Sequence, residues 1–153
     1  VSIPVIAAGG IGTGRQMFAV MSLGAEGVQV GSRFVASPEA SSHQNFKQAV
    51  VQAGEGDTQL SLKKLTPVRL LKNKFYQEVQ AAEARGADEA ELSALLGRAR
   101  AKKGMWEGDL DEGELEIGQV SALVKEIKPA AAIVQELWTD FEAALQNPIK
   151  YIS

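Results

Sequence analysis

The chain has 153 residues, 16 of them basic and 19 acidic, with a net charge of −3 at neutral pH, no cysteine and one histidine. That excludes a disulfide framework, a thiolate nucleophile, and any Cys-ligated or multi-His metal site within the chain. The slightly negative charge argues against nucleic acid, which needs clustered Lys and Arg, and no run approaches the ~20 apolar residues of a membrane span.

The first element is the apolar run Val5-Ile6-Ala7-Ala8, which reads as a strand ending in Gly9-Gly10. A helix follows over about Thr13–Leu23, with Phe18 and Met21 on its apolar stripe and Gly24 as its stop. Val28–Val30 is the next strand and ends in Gly31-Ser32. Strand, helix and strand in this order make a parallel pair with a helical crossover, so both glycine turns open on one sheet edge. The first strand starts almost at once, and Val1 is not Met. This opening reads as the C-terminal part of a larger protein, with catalytic residues lying elsewhere.

Beyond Phe34 and Val35 the pattern turns helical. Ser37-Pro38-Glu39 has the residues of a helix start. Phe46, Val50 and Val51 give that helix its apolar face, and Gly54 stops it. Asp57–Leu62 reads as a short strand or an extended loop. Thr66-Pro67 predicts a second helix, with Val68, Leu71, Phe75 and Val79 at spacings of three and four, ending at Gly86. Asp88 and Glu91 form a capping pair for a third helix, which Lys102-Lys103-Gly104 closes. Glu107–Glu114, acidic and carrying two glycines, reads as an exposed loop. Val120, Leu123, Val124 and Ile127 are periodic, and Pro129 starts or kinks a last helix that Asn147-Pro148 ends.

Two adjacent glycine turns expose backbone N–H groups with no Cβ in the way, which suits an anion such as a phosphate. Plain βα turns are the competing reading. A dinucleotide fingerprint fails: Met17 stands where G-x-G-x-x-G from Gly12 needs a small residue, and no acid follows the next strand. A P-loop fails for want of Gly-Lys-Ser/Thr. Arg33 suits either the phosphate or a structural ion pair. His43 reads as a surface or capping group. Asp109, Asp111, Glu112 and Glu114 match no compact cation ligand set. Lys72 and Lys74 read as the wet face of a helix, and Trp138 and Phe141 as core or interface.

The stretch IPVIAAGGIGTGRQMFAVMSLGAEGVQVGSRFVAS resembles the strand-7 to strand-8 region of FMN-dependent (β/α)₈ barrels. Within these it is similar to the group of nitronate monooxygenases (2-nitropropane dioxygenases) and flavin-type enoyl-ACP reductases. HQNFK from His43, VRLLKN from Val68, GDLD from Gly108 and IGQV from Ile117 extend the resemblance over nearly the whole chain. It implies an α/β fold, the C-terminal part of a (β/α)₈ TIM barrel. Residues 1–40 would hold the last two strands and the phosphate loops. Residues 41–104 would form a helical insertion over the barrel mouth, and 105–153 an acidic loop and C-terminal helices packing back.

The resemblance implies roles for particular residues. Gly10 would give its N–H to the FMN phosphate, with Gly9 allowing the turn. Gln29, Val30, Gly31 and Ser32 would form the second phosphate segment, and Gly118 and Gln119 would return near the flavin. The group's catalytic histidine belongs to an earlier strand, so this chain supplies no catalytic residue and His43 does not inherit that role. The cofactor would be FMN, with NAD(P)H as electron donor in the reductase branch. The substrate would be a small nitronate or acyl compound, without nucleic acid or membrane, in a cytoplasmic enzyme for which a homodimer is open. Rival readings are a non-catalytic domain binding a phosphate ligand or a partner, and an aldolase-like barrel using the cup for a sugar phosphate.

Overall fold

The computed structural model describes residues 1–148. Strand β1 (Ile6–Ala8) lies parallel to β2 (Gly27–Gln29), with Ile6 opposite Gly27 and Ala8 opposite Gln29. The crossover is helix α1 (Gly14–Ser22). It starts as the sequence predicts, because Thr13 and Gln16 form a reciprocal cap. The Thr13 hydroxyl accepts from the Gln16 N–H at 3.1 Å, and the Gln16 carbonyl accepts from the Gly12 and Thr13 amides at 2.8 and 3.1 Å. The α1 stripe packs against the last helix, α6 (Ala130–Gln146), with Phe18 and Phe141 ring centroids 6.4 Å apart. Trp138 tilts over Phe141 at 5.5 Å and stays half-exposed. Among the described residues β1 and β2 pair only with each other, and Val5 and Ile6 remain exposed.

Ser37-Pro38-Glu39 does not start a helix. It forms a turn after the short helix α2 (Ser32–Val35). Helix α3 (Gln44–Gln52) begins later, capped by His43, whose Nδ1 accepts from the Asn45 N–H at 3.1 Å. Glu39 caps elsewhere: its carboxylate accepts from the Ala130 N–H at 3.1 Å, at the start of α6.

The region 41–104 is not purely helical. Asp57–Leu62 contains strand β3 (Thr58–Ser61), and β4 (Val68–Leu71) pairs with it antiparallel, Ser61 opposite Val68. The predicted helix from Thr66 is thus a strand followed by helix α4 (Lys74–Ala84), which Asn73 caps by accepting from the Tyr76 N–H at 2.9 Å. The helical spacing of Val68, Leu71, Phe75 and Val79 arises across this strand–helix junction. Leu70 and Leu71 are both buried, in different clusters, as the opposite faces of a strand require. Helix α5 (Glu89–Leu96) has the Asp88 cap the sequence predicts, with the Glu91 N–H at 2.9 Å. It ends at Gly97 rather than at Lys102–Gly104, which belong to a π-helical turn, Lys102–Trp106.

Two apolar clusters organise the chain. One joins Ala36, Phe46, Val50, Leu71, Leu115, Ile117 and Val124, and so fastens α2 and α3 to the segment leading into the 3₁₀ helix Gln119–Leu123. The other, around Leu62, Leu70, Phe75, Val79 and Leu92, holds the hairpin, α4 and α5 together. The acidic segment is wound between them rather than loosely exposed. Asn73 Nδ2 donates to the Leu110 and Gly113 carbonyls, both at 2.8 Å, and Glu114 is buried.

Candidate functional site

The two glycine turns follow β1 and β2, as a parallel crossover requires. Gly9 and Gly10 take φ of +86° and +74°, which side chains with a Cβ rarely adopt, and the space where a Cβ would lie is open at both. The Gly10 N–H has no hydrogen-bond acceptor among the described residues. Gly31 differs. Its φ of −109° needs no glycine, and a Cβ there would meet nothing within 4 Å. Its lack of a side chain keeps open the approach to the start of α2, whose first amides have no intrahelical acceptor. Open cradles of this kind fit a phosphate, and a site built from the loops after strands 7 and 8 with a short extra helix is a recurring barrel feature.

The return segment reaches the second turn. The Gly118 N–H donates to Ser32 Oγ at 3.1 Å, and a Cβ on Gly118 would stand 2.7 Å from that oxygen. Gln119 is exposed and shares a cleft of about 300 Å³ with Gly10, Gln16 and the turn Gly54–Gly56. Gln29 ends β2 and Val30 links it to Gly31. The fold therefore joins Gly10 to Gln119 in one cleft and Ser32 to Gly118 by a hydrogen bond. Sequence reasoning missed Gln16, although Thr-x-x-Gln before an apolar stripe is a capping signal. It also missed the Gly54–Gly56 turn, which only the fold brings opposite Gly10.

Arg33 makes the structural ion pair. It is 5 % exposed, and Nη2 lies 3.4 Å from Glu136 on α6. Lys128 shares that carboxylate at 2.7 Å and, with Arg33, holds the Glu136 carboxyl below the usual range. Arg33 thereby ties α2 to α6. His43 is a cap, as its sequence context predicts. The acidic residues Asp109 and Glu112 pair with Lys103 and Lys74, and no metal-ligating cluster occurs among the described residues. Lys74 lies on the exposed side of α4 as expected, whereas Lys72 falls in the turn after β4. Glu114 is the perturbed group: burial, then the neighbouring Glu116, pushes its carboxyl up to about 7. No helix among the described residues is long and apolar enough to cross a membrane.

Fold and site define an α/β protein similar to TIM-barrel enzymes. FabK from Thermotoga maritima superposes with a TM-score of 0.89 and 38% identity, over 97% of this chain and 47% of that one. A nitroalkane oxidase from Streptomyces ansochromogenes gives 0.76 and 30%, over 95% and 41%. The family model "Nitronate monooxygenase" matches residues 1–140. A probable nitronate monooxygenase of Bacillus subtilis is 34% identical over 128 residues, 82% of this chain and 37% of that protein. The chain belongs to the nitronate monooxygenase family. It spans about a third of the length of the curated relatives it matches.

Proposed function

We propose that this chain is the FMN-binding part of a flavin-dependent oxidoreductase of the nitronate monooxygenase type. The observation that carries the reading is the pair of open cradles, at Gly9-Gly10 and at Gly31, on the same edge of a parallel pair. The Gly10 amide and the first amides of α2 would hold the phosphate. Ser32, braced by the Gly118 N–H, would keep the second turn in place, and the Gly10–Gln119 cleft would take the next part of the cofactor. FMN, when bound, would supply the redox chemistry, exchanging hydride or electrons with a small nitronate substrate. The chain's own residues bind and orient. None of them is placed as catalytic.

On this reading β1 and β2 are strands 7 and 8 of a closed barrel, and residues 1–40, 41–104 and 105–153 are its strand, lid and return segments. Residues 149–153 of the last segment lie outside the described residues. The exposed Val5 and Ile6 and the unpaired strand edges support closure against further strands. The second reading is a flavin-type enoyl-ACP reductase acting on an acyl substrate with NAD(P)H. It is favoured by the higher TM-score and identity to FabK than to the nitroalkane oxidase.

The test is the visible spectrum of the purified full-length protein, followed by NADH oxidation with and without O₂. Flavin bands are the expected result, and a colourless protein that takes up no FMN overturns the reading. Gly31→Val should weaken FMN binding at least tenfold, about 1.4 kcal/mol. Unchanged affinity would reject the phosphate cup.

A further inference from the structure

A cavity of about 340 Å³ lies between the end of α3 and the start of α4, and no role assigned above uses it. It shares no residue with the Gly10–Gln119 cleft or with either glycine turn. Its size falls at the lower end of small-molecule sites. The floor is apolar. Ala53, Leu71 and Leu115 are buried members of the cluster that fastens α2 and α3, and the half-buried Leu110 also lines the cavity.

The rim carries charge of both signs. Lys72 follows β4, Asp57 belongs to the turn after α3, and Asp111 lies in the wound acidic segment. The backbone under each is fastened. The Lys72 N–H donates to the Asp57 carbonyl and the Phe75 N–H to the Asp111 carbonyl, both at 3.0 Å. Asp57 Oδ2 accepts from the Gly54 N–H at 2.7 Å, which leaves Oδ1 for another donor. Neither the Lys72 ammonium nor the Asp111 carboxylate has an ion-pair partner among the described residues. Lys74, the other cation near Asp111, is paired with Glu112. Unpaired charges on a fixed backbone above an apolar floor form a preorganised receptor.

The two signs select the ligand. A carboxylic acid without a cation would face two carboxylates for one ammonium, and an amine without a carboxylate would meet Lys72 as a like charge. A zwitterion answers both signs, and the floor adds a demand for an apolar substituent. An aliphatic α-amino acid carries these three parts on one carbon.

We propose that this cavity binds an aliphatic α-amino acid in its zwitterionic form. The ammonium pairs with Asp111 and Asp57, the carboxylate with Lys72 and the exposed Gln52 amide, and the side chain lies on Ala53, Leu71 and Leu115. The site is additional to the cofactor cup and does not depend on the flavin reading.

The test titrates leucine, glycine, 3-methylbutylamine and 4-methylpentanoate into the full-length protein by calorimetry. A circular dichroism melt reads folding, and absorbance reads bound FMN. Leucine should bind with a Kd below about 1 mM, at least tenfold tighter than glycine or either single-charge analogue, and should raise the melting temperature. Lys72→Gln should weaken leucine at least fivefold and leave 3-methylbutylamine unchanged or tighter. Asp111→Asn should weaken leucine at least fivefold and leave 4-methylpentanoate unchanged or tighter. Both residues are exposed, so both variants should fold. A folded protein that takes up no leucine overturns the proposal. Equal affinity for leucine and either single-charge analogue also overturns it, as does a folded Lys72→Gln protein with unaltered leucine affinity. Absent FMN overturns the flavin reading alone, because the calorimetry reads the cavity in either case.

Discussion

Gly14→Ala tests how the cup is held. Gly14 opens α1 directly after the first glycine turn, and it lies against the backbone of α6. A Cβ built there would stand 2.7 Å from the Asp140 carbonyl carbon and closer still to Leu137 O and Phe141 N. Carbon atoms pack at about 3.5–4.0 Å. The helices would therefore have to part by about 1 Å, because neither neighbour is a side chain that could rotate away. A gap of that size forfeits roughly a quarter to a half of the dispersion energy of the contacts it opens. Those contacts include Phe18 on Phe141, and the Arg15 N–H to Asp140 Oδ2 bond of 2.8 Å would be stretched. Overpacking costs about 1–3 kcal/mol, which far exceeds the small propensity gain of alanine at a first helical position.

The expected result in the full-length protein is a loss of about 2 kcal/mol by chemical denaturation. A several-fold weaker FMN affinity should accompany it, because α1 carries the Gln16 side chain that holds the Gly12 and Thr13 amides. Denaturation midpoint and FMN titration together are the assay. A variant with both quantities unchanged would refute the packing argument.

Three further outcomes are expected. Glu114 has a folded pKa raised from 4.5 to about 7, so the native state binds more protons than the unfolded state between those values, and stability falls as pH rises through that window. Glu114→Gln should remove this fall and stabilise the protein at pH 8 by on the order of 2–3 kcal/mol. Denaturant midpoints at pH 5 and pH 8 check it. Phe75 is fully buried and has the Arg100 guanidinium 4.5 Å over its ring, so Phe75→Ala should cost about 3–5 kcal/mol. Because Phe75 lies in the core of the hairpin lobe and not in a pocket wall, FMN affinity should hold under conditions where the variant stays folded. Asn73→Ala loses the α4 cap and leaves the Leu110 and Gly113 carbonyls without their donor, so a loss of about 2 kcal/mol is expected in the melt.

What the sequence determined by itself lies in its first 35 residues and at its helix caps. An apolar run, a glycine pair, an amphipathic helix and a second run with a glycine turn permit one local arrangement, a parallel crossover with both turns on one edge. Asp88 with Glu91, and Pro129 before an apolar stripe, likewise act within one turn of chain. The tertiary structure decided the rest. The spacing of Val68, Leu71, Phe75 and Val79 fits a helix, but Leu70 and Leu71 are each buried in a different cluster, and only a strand turns successive side chains to opposite faces. Ser37-Pro38 has helix-start chemistry, yet Glu39 is drawn to the Ala130 amide, 91 residues away, and the turn is fixed there. Arg33 suited phosphate or carboxylate equally until α6 brought Glu136 beside it. The Ser32–Gly118 bond and the Gly10–Gln119 cleft join residues about a hundred positions apart. No local pattern encodes them, because such contacts depend on which surfaces the two apolar cores bring together.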